Sequence, residues 1–293
     1  MINHISFSVI PVLVIFLFIL FTFFISFRTQ RRRRNQLCWM ISFLRSVRKI
    51  IQHLPQHRGM GNAYLRGDDS FKEKMKEMQD KINSDFSELL IITEKSSSVF
   101  DLNVIATVNS AWKEIEEKAF LFSPEESFAK HTALIADVLN IIEESNELAS
   151  LQSGFEEFEL ILRALVKDIP YLTETLGQAR GLGTGISAQE ECSVANRLKL
   201  GFLHQKGMKV LNETIHPLID SKLPQLNSSK SAIENCLEKS NKFLACMNSE
   251  LIQADKIVIQ PTIFYGIATE AIDHTFVLLD QLLNVLEGIV LQK

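Results

Sequence analysis

Gln56-His57-Arg58-Gly59-Met60-Gly61 is answered 122 residues later by Gln178-Ala179-Arg180-Gly181-Leu182-Gly183. Both hexapeptides read Gln-x-Arg-Gly-(large apolar)-Gly. Each closes an apolar approach of the same phase: Val47, Ile50 and Leu54 before the first, Ile169, Leu172 and Leu176 before the second. Steps of three and four residues are the period of a helix face. A motif repeated together with its approach predicts two related halves, each entered by a helix that carries one arginine. Neither arginine has an acidic residue three or four positions away, so no neighbour on its own helix neutralises it. Each needs a partner from elsewhere.

The chain around these copies is helical in pattern. Gly (12) and Pro (7) are few among 293 residues, no alternating strand pattern with hairpin turns recurs, and long apolar periodicities dominate. The spacing predicts an amphipathic helix over 37–54, with Pro55 kinking or restarting it because proline has no amide donor. Ser70-Phe71-Lys72-Glu73 reads as a capping box for the next helix. Ser123-Pro124-Glu125-Glu126 reads as another helix start, with a serine cap, proline at the first position and acids at the positive end of the dipole. After the second motif, helices are expected over about 190–214, 217–247 and 261–291, and Gly181, Gly183 and Gly185 are expected to weaken the one they follow. The expected fold is all-α: an N-terminal transmembrane helix, then two antiparallel four-helix bundles over 37–152 and 153–293.

Residues 5–27 are 23 positions without a charge, rich in Phe, Ile, Leu and Val, long enough to cross a hydrocarbon core. Arg28 and the run Arg31, Arg32, Arg33, Arg34 follow at once, which predicts a cytoplasmic flank by the positive-inside rule. Residues 1–36 are therefore read as a single-pass anchor of the inner membrane, with the helical body in the cytoplasm. Residues 1–67 hold ten Lys/Arg and no acid, whereas 68–293 hold 21 basic and 35 acidic residues. A body that acidic argues against a nucleic-acid partner. The four cysteines show no metal or redox spacing and read as reduced thiols in the core.

Other sites fail on their chemistry. Gly181-Leu182-Gly183-Thr184-Gly185 lacks the ending of a phosphate loop and follows a helix rather than a strand. His53 and His57, four apart, share a helical spacing but have no carboxylate near them in sequence, so an exposed or partly packed pair is expected rather than a metal site. No nucleophile and base motif occurs, so the chain is not expected to be an enzyme or to hold a cofactor. The arginines keep two readings. Each forms a tertiary ion pair or snorkels to water, or the two converge across a pseudo-twofold axis and hold an anion between them. A planar guanidinium with forked donors suits a small planar oxyanion such as nitrate or nitrite.

A resemblance bears on that choice. Gln-x-Arg-Gly after a membrane-proximal helix, the segment Ile169-Pro170-Tyr171-Leu172 through Leu176-Gly177-Gln178-Ala179-Arg180-Gly181, and Pro261-x-x-Phe264-Tyr265-x-x-x-Thr269-x-x-Ile272-Asp273 together resemble the nitrate- and nitrite-sensing domain family of bacteria. The resemblance covers about 37–292, and its specificity lies in those short stretches. It implies one sensor domain of two four-helix bundles, with nitrate or nitrite held between helices by arginines. Arg58 and Arg180 carry over by motif, with Gln56, Gly59, Gln178 and Gly181 as supporting positions. Such sensors usually precede a chemoreceptor region, a kinase, a cyclase or an RNA-binding antiterminator. None is legible up to Lys293, so the bound state is expected to pass to an unknown partner protein, and a homodimer fits equally well. The alternative is a membrane-tethered helical scaffold without a small ligand.

Overall fold

The computed structural model describes residues 6–96, 101–150 and 158–292. The proposed divide at 152 and 153, and residue 5 at the start of the apolar span, lie outside them. Among the described residues the chain is all-α, with no strand.

Helix α1 runs unbroken over Ser6–Leu65, through both Pro11 and Pro55. Of the kink or restart expected at Pro55, the restart does not occur. The helix there is packed on both sides, with Leu54 and His57 fully buried, and this burial outweighs one missing backbone bond. Every described side chain over 11–32 is exposed, including ten large apolar ones from Val12 to Phe21. From Leu37 onward α1 enters the core.

Short connections then lead to α2 (Lys72–Lys95), α3 (Leu102–Lys118) and α4 (Pro124–Ser150). Connections of this length make sequential helices antiparallel. α1 packs on α2 and α4, and α3 closes the ring between them. The capping box expected at Ser70 is replaced: Asp68 accepts from the Ser70 amide and a 3-10 turn, Asp69–Phe71, comes first. Aspartate two residues upstream caps as well as serine and adds a favourable charge. At α4 the sequence expectation holds, and Ser123 Oγ accepts from the Glu126 amide at 3.1 Å.

The second half begins with a rod made of α5 (Glu159–Arg163), a π turn (Ala164–Asp168) and α6 (Ile169–Gln189). A second rod joins α7 (Val194–Val210) through a π turn (Leu211–Ile215) to α8 (His216–Asp220). Both of these π turns end two residues before a proline, Pro170 or Pro217. The wider turn re-routes the carbonyls that a proline nitrogen cannot serve. That is why the helix expected to restart at Pro217 instead continues through it and ends at Asp220. The two π turns meet at a buried hydrogen bond from Thr214 Oγ1 to Asp168. α9 (Lys230–Met247) and α10 (Pro261–Gln292) complete a second ring with α6 and α7.

The rings join along α1, α6 and α10. Arg48 forks onto Asp280 at 2.7 and 2.8 Å, and Arg45 reaches Glu287 at 2.7 Å, which sets α10 antiparallel to α1. One contiguous apolar core runs from Leu37 to Val290 through both rings. α6 passes through Gly181, Gly183 and Gly185 without interruption. At Gly183 the missing side chain is filled by α10: an added Cβ would lie 2.3 Å from Phe264 Cε1 and 2.9 Å from Leu251 Cδ1.

Candidate functional site

Arg58 lies on the buried face of α1, one turn beyond Leu54, and is 3% exposed. Its guanidinium meets residues of two other helices. From α4, Thr132 Oγ1 accepts from Nη1 at 2.9 Å, and the Phe128 ring lies 4.9 Å beneath the guanidinium carbon. From α6, Glu174 takes both ends of the fork, at 2.6 and 3.1 Å. Gln178, one turn further along α6, donates to the same carboxylate at 2.8 Å. Gly177 lies beside the pair, with a notional Cβ 3.7 Å from Arg58 Nη2. Two charges this buried persist only when fork and hydrogen bonds are complete.

Arg180 repeats half of this arrangement. Its Nη1 donates to Thr269 Oγ1 at 3.0 Å, and the Tyr265 ring lies 4.9 Å beneath its guanidinium carbon, both from α10. The correspondence is residue by residue. Each arginine comes from the first helix of its ring and finds an aromatic residue and a threonine four apart on the last. What Arg180 lacks, among the described residues, is a carboxylate within ion-pair distance. Burial pulls its pKa below the usual arginine value; Tyr265 raises it, and Arg58 lowers it ahead of the smaller support from Asp273 and Glu174. The two arginines therefore act on each other, and only one of them has a counter-charge. Chemically, Arg180 is a cation with spare N–H donors, a group suited to holding an oxyanion.

The other predicted positions are less central. Gln178 supports Glu174; Gly181 lies against Phe128, at 4.0 Å from a notional Cβ; Gly59 is exposed with open space around it, and Gln56 is half-buried. Phe128, Thr132, Glu174 and the hydrogen bond from Arg180 to Thr269 were not anticipated. A second repeat signals most of them: Pro124-x-x-x-Phe128-x-x-x-Thr132 matches Pro261-x-x-x-Tyr265-x-x-x-Thr269. Glu174 carries no local signal.

The histidines depart from expectation. His57 is fully buried rather than exposed, and His53 instead reaches Asp85 at 2.6 Å. His57 Nδ1 lies 2.8 Å from His131 Nε2, and His131 Nδ1 lies 2.6 Å from the Ser127 carbonyl. A carbonyl only accepts, so His131 carries its proton on Nδ1 and His57 donates from Nδ1. His57 Nε2 is left as a buried lone pair without a hydrogen-bond partner. Burial, with His131 second, pushes the His57 pKa down to about 3, and burial pushes that of His131 down to about 4. Unfolded histidine binds its proton near pH 6.5, so between there and the folded values the unfolded chain holds more protons. Stability is fully present above pH 6.5 and falls as pH drops through that window, by roughly 1.4 kcal/mol per unit for each imidazole. Melting curves at pH 7.5, 6 and 5 should show the fall, and His131→Asn should flatten it. Among the described residues, no group of three or more His, Cys, Asp or Glu is placed to hold a metal.

Comparison with known proteins gives a fold and no family assignment. No family model matches the chain, and no curated protein matches it either. Among solved structures, that of the NasR transcription antiterminator is similar, with a TM-score of 0.68 at 15% sequence identity, covering 94% of this chain and 74% of that one. The double helical ring is thus an architecture already seen in a regulatory protein.

Proposed function

We propose that the protein is a membrane-anchored receptor that binds nitrate or nitrite between its helical rings and relays the bound state to a partner protein. The observation that carries this reading is Arg180. It is a half-buried guanidinium with a single hydroxyl acceptor, beside a second arginine that already has its own carboxylate. A cation in such surroundings is stabilised most by one small anion. The matched Arg, aromatic and Thr sets support a duplicated unit of two four-helix bundles. The fold shared with an antiterminator agrees with the resemblance to nitrate- and nitrite-sensing domains, among whose outputs antiterminators are expected. The exposed apolar run on α1, followed by Arg28, Arg31, Arg32 and Arg34, supports an anchor with the rings in the cytoplasm. Among the described residues, α10 is also long and apolar enough for a span, but more than half of that window is buried in the fold.

The scaffold reading draws on Arg58, whose pairing with Glu174 is an ordinary tertiary ion pair. A thermal-shift titration of the detergent-solubilised chain with nitrate, nitrite, chloride and sulfate separates the two. Ligand at about a hundred times its dissociation constant adds ~2.7 kcal/mol, or roughly 5 to 10 °C for a chain of this size. Arg180→Gln should remove that shift while leaving the unliganded fold intact. No response to nitrate or nitrite, or an undiminished one in Arg180→Gln, returns the protein to the scaffold reading.

A further inference from the structure

The two arginine sites are alike in every contact but one, and that difference is written in the repeat. Glu174 stands on α6 six residues before Arg180; six residues before Arg58 on α1 stands Gln52. The repeat thus places a carboxylate on one helix and an uncharged amide at the matching position of the other. Glu174 crosses the interface and neutralises Arg58. Gln52 has no charge to return to Arg180, and its amide oxygen accepts from Arg48 on its own helix.

We infer that Glu174 is an internal ligand: its carboxylate fills at Arg58 the place that a planar monovalent oxyanion takes at Arg180, and Gln52 is what leaves Arg180 open to that anion. The inference rests on the receptor reading and adds to it the shape and charge of the ligand. A carboxylate, nitrate and nitrite each present coplanar oxygens to the two-pronged edge of a guanidinium. Arg58 and Glu174 sum to zero and Asp273 acts on Arg180 only from beyond ion-pair distance, so in direct contact one cation remains for one negative charge. A divalent tetrahedral anion such as sulfate also presents two oxygens to the fork, but it brings one negative charge too many and leaves a buried excess of one. Glu174 and Gln52 therefore determine how many anions the chain holds and of what valence.

Two single substitutions test this on the full chain in detergent, each read by calorimetric titration with nitrate and sulfate and by melting without anion. Gln52→Glu supplies the missing carboxylate. Arg48 forks onto Asp280 and donates to the Gln52 side chain, so the new carboxylate stands beside Arg48 and, by the repeat, in the place from which Glu174 meets the other arginine. The expected result is a higher melting temperature without anion and nitrate affinity reduced by about tenfold or more. Glu174→Gln removes the internal ligand. It should melt lower without anion, and nitrate should restore the melting temperature while binding at two per chain instead of one. Nitrate binding by Gln52→Glu at wild-type strength overturns the inference, as does a folded Glu174→Gln that still takes one nitrate. Sulfate binding by the wild type in preference to nitrate overturns it too. If the wild type binds neither nitrate nor nitrite, the receptor reading itself has failed; if it binds and the two variants behave like it, only the internal-ligand inference has.

Discussion

Arg58→Ala should cost the fold about 3 to 5 kcal/mol, because it strands the Glu174 carboxylate inside the protein. Glu174 is 7% exposed, and its remaining donor is the Gln178 amide. For a chain of this size the melting temperature should fall by roughly 6 to 20 °C. The contribution belongs to the completed pair and not to the arginine alone, and a second variant separates these. Arg58→Met with Glu174→Leu removes both charges and keeps the volume, and should melt within a few degrees of the wild type, since buried ion pairs often do no better than well-packed apolar residues. Chemical denaturation of the two variants side by side gives both numbers. A mild loss for Arg58→Ala alone would mean that water reaches Glu174.

Gly183→Ala should be nearly as severe. The added methyl would sit 2.3 and 2.4 Å from two ring carbons of Phe264 and 2.9 Å from a Leu251 methyl. Phe264 cannot swing aside, being fully buried edge-on against Phe243 at a centroid distance of 5.3 Å. α6 and α10 must separate, and such overpacking costs about 1 to 3 kcal/mol, at the upper end when the neighbour is a rigid ring. Gly185→Ala, two residues on, makes the control. Open space surrounds it, so the substitution brings only the better helix propensity of alanine and should stabilise by up to ~1 kcal/mol. Opposite signs two residues apart on one helix would locate the close approach by denaturation alone. Because Thr269 lies in the turn after Phe264 and Tyr265, Gly183→Ala should also weaken anion binding at Arg180.

Most of the helices were legible because amphipathic periodicity is a local property. The apolar approach through Val47, Ile50 and Leu54, and the cap at Ser123, reached the structure unchanged. The errors cluster where a tertiary contact overrides a local preference. Pro55 was read as a kink or a restart and Pro217 as a helix start, but the helix does not restart at the first and a π turn carries it through the second. The glycines after Arg180 were read as weakening, when one of them makes room for Phe264. At the candidate site the two arginines were legible by repetition. Glu174 was not, since it meets Arg58 across 116 residues and belongs to the helix that carries the other arginine. The asymmetry between Glu174 and Gln52 is plain in the sequence only once the structure has said which position faces an arginine.

The unbroken course of α1 has a mechanical consequence. With 1.5 Å of rise per residue, the helix spans roughly 90 Å, and Arg58 lies roughly 57 Å from the middle of the exposed apolar stretch. The helix continues between them through Pro55, and for a rigid rod of that length a tilt of about 5° at the arginine becomes a displacement of roughly 5 Å at the far end. Exchanging one anion for another on a guanidinium moves atoms by less than that. In the proposed receptor such a rod would act as a lever, its short arm clamped among the helices of both rings and its long arm standing clear of them.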